Sequence, residues 1–354
     1  MSLVFTTTSC DMDLTPDSAV PEHEALRTID DCDAWVVGIY SAFKNSALYS
    51  GYMTLLPDIQ ADMAYAALNT NNGFYTNIYQ WDIKSTTDEI IAVYNGLYTI
   101  VARCNFFLDY KDQVEVNLKT TADKDNFKKR LGEVYFARAM AYAELIRLFC
   151  EPMTSVNADT ENMGICLPTT YRDDVPKVKR STLRESYNQI ISDLKSAEDN
   201  LPDSRTVADS HYFSKGAVYA LRARIYMYMG MGDLKRDRNN EYLKKSVEAA
   251  TKVIKLGVYE LSDAINNAFV IDSKYYTDYQ VMWMRDASDE VIWKIGMSST
   301  SYGGALGKEL LSYNNSTYNP RYHFASSSSS GRKRPADSST STWHSIPEQG
   351  ALCN

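Results

Sequence analysis

The sequence predicts a mainly α-helical fold in which antiparallel helix pairs stack into an α-α superhelix, followed by a small irregular α+β lobe. Three observations carry that prediction. The first is an internal repeat. Gly132, Val134, Tyr135, Arg138, Ala139 and Tyr142 recur at one constant offset as Gly216, Val218, Tyr219, Arg222, Ala223 and Tyr226. Positions 135, 138, 139 and 142 share one face of a helix, as do 219, 222, 223 and 226. Gly and Ala let a neighbouring backbone come close, and the Tyr rings fill the grooves beside it. The second observation is apolar spacing at helical period along most of the chain up to Tyr259. The third is a change after Tyr259 to short β-branched and aromatic runs. A repeat of this kind points to a stacked helical array, and such arrays present binding surfaces.

Residues 11–22, with Asp11, Asp13, Pro16, Asp17 and Pro21, are polar and unpatterned, as a tether would be. A first helix is expected from Glu24 to about Asn45, with Ile29, Val36, Val37, Ile39, Tyr40 and Phe43 on its apolar side. A second is expected over Tyr52–Ala66, then a loop over Leu68–Tyr79. Thr86-Thr87-Asp88-Glu89 has the form of a helix start, a hydroxyl cap followed by acids. The long helix with the first repeat copy is expected over Asp123–Phe149, ended by Pro152. Ser181-Thr182-Leu183-Arg184-Glu185 opens the next helix, which Leu201-Pro202 closes. The second repeat copy spans Ser214–Met229. A partner helix over 241–256 carries Leu243, Val247, Ala250, Val253 and Ile254 at helical spacing. A helix pair of this length matches a tetratricopeptide-like unit. Tyr279–Met284 and Glu290–Ile295 are expected as strands. Beyond Tyr318 the chain turns to a serine run at Ser326–Ser330, then Gly331-Arg332-Lys333-Arg334-Pro335, a composition that cannot bury a core.

Composition narrows the function classes. A net charge of −8 opposes nucleic-acid binding, which needs a basic face. No run of about 18 apolar residues occurs, so no segment is expected to span a membrane. The 26 tyrosines suit helix seams, and they also suit sugar-binding surfaces. No His-Glu-x-x-His and no Gly-x-Ser-x-Gly occur. The stretch Gly303–Glu309 fails as a phosphate loop, because Tyr302 holds the first glycine position and Glu309 the magnesium-binding hydroxyl position. The reading is a binding protein with no catalytic set, cofactor or metal. Cys104 and Cys150 lie in apolar helix patterns. Cys10 follows Thr7-Thr8-Ser9, small residues of the kind that precede a cleaved, lipid-modified cysteine. Only Leu3, Val4 and Phe5 stand for the roughly 7–15 apolar residues of a signal peptide. On these residues alone Cys10 is either a lipidation site or incidental.

Ser9-Cys10-Asp11-Met12-Asp13-Leu14-Thr15-Pro16 resembles the processed start of SusD/RagB outer-membrane lipoproteins of the Bacteroidetes. Tyr94–Asn105 is similar to that family's Tyr-x-x-Ile-x-x-x-Asn helix. Gly132–Tyr142 resembles its most recognisable helix, and Ser181–Leu201, Lys215–Met229 and Glu290–Trp293 follow in the family's order over about residues 10–300. The resemblance implies a mainly helical fold with tetratricopeptide-like pairs. It implies a lipid-anchored, surface-exposed outer-membrane protein that captures glycan or peptide for a SusC-class TonB-dependent transporter. It also favours palmitate-type lipidation at Cys10. On this basis 1–23 is expected to be a residual signal peptide and lipidated tether, and 24–260 the SusD-like helical domain. Residues 261–318 would start the irregular ligand-binding lobe, and 319–354 would be a disordered or aberrant tail. The family's long C-terminal lobe is expected to be missing beyond Tyr318 through truncation or a frameshift.

The alternative function is an intracellular tetratricopeptide-type scaffold, which has no use for a Ser-Cys-Asp start. Sugar recognition needs aromatic faces with amides or acids nearby. Composition and position select Asn71, Asn72, Phe74, Tyr75 and Trp81 in one segment, and Tyr302, Tyr313, Asn314 and Tyr318 in another. The competing expectation is that Phe74 and Trp81 are buried anchors of their loop.

Overall fold

A computed structural model of the chain describes residues 21–66, 73–171, 179–203, 210–232, 238–266, 268–271, 273–285, 288–297, 306 and 322–324. Helix α1 spans Ile29–Phe43, α2 Tyr52–Gln60, α3 Thr76–Tyr79, α4 Asp88–Glu115 and α5 Thr121–Phe149. Then follow α6 over Leu183–Asn200, α7 over Lys215–Met231, α8 over Asn240–Lys255 and α9 over Asp278–Arg285. Helix α5 is the centre of the array. It packs against α6, α4, α1 and α7, and α7 packs against α8 and α6.

The helix starts follow from their caps. Thr28 and Asp31, Thr120 and Asp123, and Thr182 and Glu185 each form a reciprocal capping box. Thr87 precedes α4 as expected, but its hydroxyl accepts from the Lys84 amide at 3.0 Å and leaves the helix start uncapped. By length and composition α4 could cross a bilayer. Here it is a core helix, with Leu97, Ile100, Val101, Cys104 and Phe107 fully buried.

The repeat face has a specific chemistry. In the first copy the Arg138 guanidinium lies 5.8 Å from the Tyr135 ring. It donates to both Asp193 carboxylate oxygens at 2.8 and 2.7 Å and to Asn105 Oδ1 at 2.8 Å. Asn105 Nδ2 and the Tyr142 hydroxyl both donate to the Pro168 carbonyl at 2.6 Å. Arg138 and Asp193 keep only 6% and 2% of their side-chain surface exposed. Burial works against the charge on Arg138, yet the bonds from Asp193 hold its pKa above the ordinary guanidinium value. In the second copy Arg222 lies 5.9 Å from the Tyr219 ring and pairs with Glu198. Both arginines therefore grip α6, one from α5 and one from α7. The repeat glycines serve close approach. A Cβ at Gly132 would come within 2.9 Å of Asn200 and Leu201, and one at Gly216 would overlap the Tyr259 ring.

Several expectations need correction. The repeat faces of both copies are expected to be buried at helix seams, but Tyr135 of the first copy and Tyr219, Arg222, Ala223 and Tyr226 of the second are only partly covered; the second copy is the more open because α7 lies nearer the rim than α5. Helix α2 stops at Gln60, where Asp62 takes a left-handed backbone, φ 58°. Residues Ala64–Ala66 then form strand β1. The expected loop 68–79 contains the one-turn helix α3. Tyr279–Met284 lies in helix α9 and is not a strand. Thr277 and Gln280 exchange backbone-to-side-chain bonds at 2.9 and 3.2 Å, and this starts the helix. Glu290–Ile295 forms no strand either. Lys294 N donates to Ser210 O at 3.0 Å, and Trp293 packs among Phe43, Tyr49 and Phe213. The strands lie elsewhere. Strands β2, Phe269–Ile271, and β3, Lys274–Tyr276, form a hairpin with Val270 opposite Tyr275. Strand β4, Tyr322–Phe324, falls inside the expected tail and pairs antiparallel with β1, Ala64 opposite Phe324. The rest of 319–354 lies outside the described residues, as does Cys10.

Two predictions follow from the seam. Ala139 is fully buried and Ala223 is not, so Ala139→Leu costs ~1–3 kcal/mol by overpacking, and Ala223→Leu costs less. Equal melting temperatures for the two variants would contradict the inner and outer placement of the copies. Arg138→Met leaves a buried carboxylate unpaired and destabilises by about 3–5 kcal/mol in urea denaturation, and Arg138→Met with Asp193→Leu recovers much of that loss.

Candidate functional site

A second, smaller apolar cluster lies apart from the main core. Leu55, Leu56 and Ile59 of α2, Ala64 of β1 and Ile78 of α3 form it, with Tyr52, Tyr75, Tyr79, Ile83 and Ile90 packed at its edge. Ile78 is the anchor that holds the short helix α3 down, since it is the one fully buried residue of that turn.

The backbone around α3 is tightly bent. Gly73 has φ 78°, Tyr75 φ 55° and Trp81 φ 63°. Glycine adopts the left-handed region freely, but a bulky aromatic residue does so at a cost of order 1–3 kcal/mol each. Local bonds hold these bends. Thr76 Oγ1 donates to Gly73 O at 2.8 Å, Trp81 N to Ile78 O at 3.2 Å and Asp82 N to Asn77 O at 2.8 Å. Tyr75 is half-buried, and its ring meets Tyr52 edge-on at 6.0 Å. Phe74 lies beside it, with ring centroids 6.2 Å apart. Phe74 is 40% exposed and Trp81 47% exposed, so neither is a buried anchor. A left-handed aromatic residue thus stands at each end of α3.

Of the residues selected from the sequence, Phe74, Tyr75 and Trp81 fall on this one segment. Asn71 and Asn72 lie outside the described residues, as do Tyr302, Tyr313, Asn314 and Tyr318. Two exposed amides on the same turn, Asn77 and Gln80, escaped sequence reasoning. The signal for them is the interleaving of amides with aromatics between Phe74 and Trp81. A further open aromatic pair lies on α9, where the Tyr279 and Trp283 rings meet at 6.1 Å and 74°. Reading that segment as a strand concealed the i, i+4 pairing. Among the described residues, no group of three His, Cys, Asp or Glu could hold a metal.

The SusD-like family model, described as starch-binding and associating with the outer membrane, matches residues 12–227. No curated protein matches the chain. Many solved structures share its fold, three of them as follows. A SusD superfamily protein from Bacteroides thetaiotaomicron is 22% identical with a TM-score of 0.62, over 77% of this chain and 54% of its own. A SusD homolog from the same organism is 19% identical, TM-score 0.63, over 83% and 53%. A SusD superfamily protein from Bacteroides vulgatus is 20% identical, TM-score 0.63, over 79% and 57%. The chain therefore spans little more than half the length of each of these structures. The family match covers more than half of the chain, and the chain belongs to the SusD-like family.

Proposed function

We propose that this chain is a binding protein for glycan, with the open aromatic residues around α3 as part of its contact surface. The observation that carries the reading is the exposure of Phe74 and Trp81 on a turn whose backbone is fixed by left-handed residues. A sugar ring has apolar faces that stack on aromatic rings, and hydroxyls that bond to amides. Asn77 and Gln80 supply exposed amides on that turn. The family's description as starch-binding supports the ligand class. The finer part of the proposal is capture at the cell surface for a SusC-class TonB-dependent transporter, from a lipid anchor on Cys10, with the helical side toward the transporter. Its support is the family's stated association with the outer membrane and the Ser9-Cys10-Asp11 start.

Two experiments test these parts separately. A glycan array followed by calorimetry on the purified chain identifies a ligand. Trp81→Ala and Tyr75→Ala then each weaken it about tenfold or more, the effect of losing ~1.4 kcal/mol or more of ring contact. Unchanged affinity in both folded variants would remove this site from consideration. Expressed in a Bacteroidetes host, the protein takes up labelled fatty acid and fractionates with the outer membrane, and Cys10→Ala releases it. A wild-type chain found wholly in the cytosol contradicts the anchor.

A further inference from the structure

The part of the chain that builds the aromatic turn is almost without cations. No Lys, Arg or His occurs from position 45 to 83, and Lys84 is the one basic residue between Lys44 and Arg103. Five acids occupy the same stretch: Asp58, Asp62, Asp82, Asp88 and Glu89. Asp58 lies on α2 and Asp62 between α2 and β1, the two elements that form the cluster beneath α3. Asp82 follows Trp81, and Asp88 and Glu89 stand in the first turn of α4. All five are at least partly exposed. The basic groups of the stretch and its borders are engaged. Lys84 Nζ lies 3.4 Å from Asp82 Oδ2. Lys44 Nζ donates to Gly296 O at 3.0 Å, and Arg103 Nη1 donates to Gly38 O at 2.6 Å. Strand β4, the partner of β1, contains no Lys or Arg.

We propose that the α3 turn takes uncharged glycans and excludes acidic ones, those bearing uronate, sulfate or sialate groups. This rests on the glycan reading of the turn and assigns its ligand class. An acidic sugar is held by charge-assisted bonds from Arg or Lys, paired and parallel where a guanidinium supplies them. Among the described residues of α2, β1, α3, β4 and the turn into α4, the one ammonium is that of Lys84, and it already faces Asp82. The surrounding carboxylates repel an anion as it approaches, and each acidic unit of a polymer adds to that repulsion. A neutral sugar meets no such opposition. Its faces stack on Phe74 and Trp81 whatever the local charge, and its hydroxyls donate to carboxylates as readily as to the amide oxygens of Asn77 and Gln80. Specificity here comes from unfavourable contact with the wrong ligand as much as from attraction to the right one.

The probe is a glycan array that sets neutral oligosaccharides beside galacturonate-, glucuronate-, sulfate- and sialate-bearing ones, read with the full chain and with Trp81→Ala. Signals that Trp81→Ala removes are expected on neutral glycans alone. The neutral polysaccharide so found is then titrated before and after partial carboxymethylation. The carboxymethylated form binds about tenfold or more weakly at about 20 mM salt, and the gap narrows at about 0.5 M, where screening confines charge effects to a few ångström. Asp82→Lys reverses one exposed charge beside Trp81 and narrows the gap at low salt as well. Circular dichroism checks that both variants stay folded. An acidic glycan whose signal depends on Trp81 overturns the exclusion and leaves the site in place. A gap that neither salt nor Asp82→Lys changes overturns it too, because shape then accounts for the discrimination. Neutral signals that survive Trp81→Ala remove the site itself, and the ligand class assigned to it falls with it. An array without any signal refutes glycan binding altogether.

Discussion

A guanidinium without access to water must find its partners inside the protein. Arg138 sits in that position, and the geometry of its neighbours follows from it. Asp193 must present both oxygens edge-on, which sets the rotation of α6 against α5. Asn105 must turn its oxygen toward the same group, which fixes α4, and its nitrogen then reaches the Pro168 carbonyl. Three helices and one connecting segment are registered by one cation. Such a network contributes little net stability, because desolvating the charges costs about as much as their attraction returns. Its effect is on which arrangement is allowed, since a shifted helix would strand a buried charge.

The same Tyr-x-x-Arg unit at the rim operates under looser conditions. Arg222 keeps its ring contact and its acid on α6, but water reaches the pair. Near-identical sequence thus serves as a core lock in one copy and as a surface clasp in the other. Position in the array accounts for the difference, and the residues themselves do not encode it.

This limits what could be read from the chain. Helices α1 and α4–α8 were legible, because apolar residues recur at helical spacing along them and the repeat marks α5 and α7. Which repeat copy lay inside was not, since burial depends on the neighbours each helix acquires. The α9 error has a local cause: aromatic and β-branched residues favoured a strand reading, and Thr277 with Gln280 outweighed them as a helix start. Strands β1 and β4 are three residues each and pair across most of the chain, so no local pattern announces them. At the candidate site, composition pointed to Phe74, Tyr75 and Trp81. The left-handed backbone of Tyr75 and Trp81 and the exposure of the Phe74 and Trp81 rings depend on how Ile78 anchors the turn.

The pairing of β1 with β4 also bears on the order in which the molecule is completed. The helical array is built from contacts between elements close in sequence, which can form while the chain is still emerging. Strand β1 waits for residues 322–324, and closing so long a loop is entropically slow to reward. The small cluster beneath α3 includes Ala64 of β1 and borders Leu306. Its aromatic turn therefore rests on a foundation finished late in synthesis. Conditions that loosen this closure would be felt first at the turn, while the array around Arg138 remained folded.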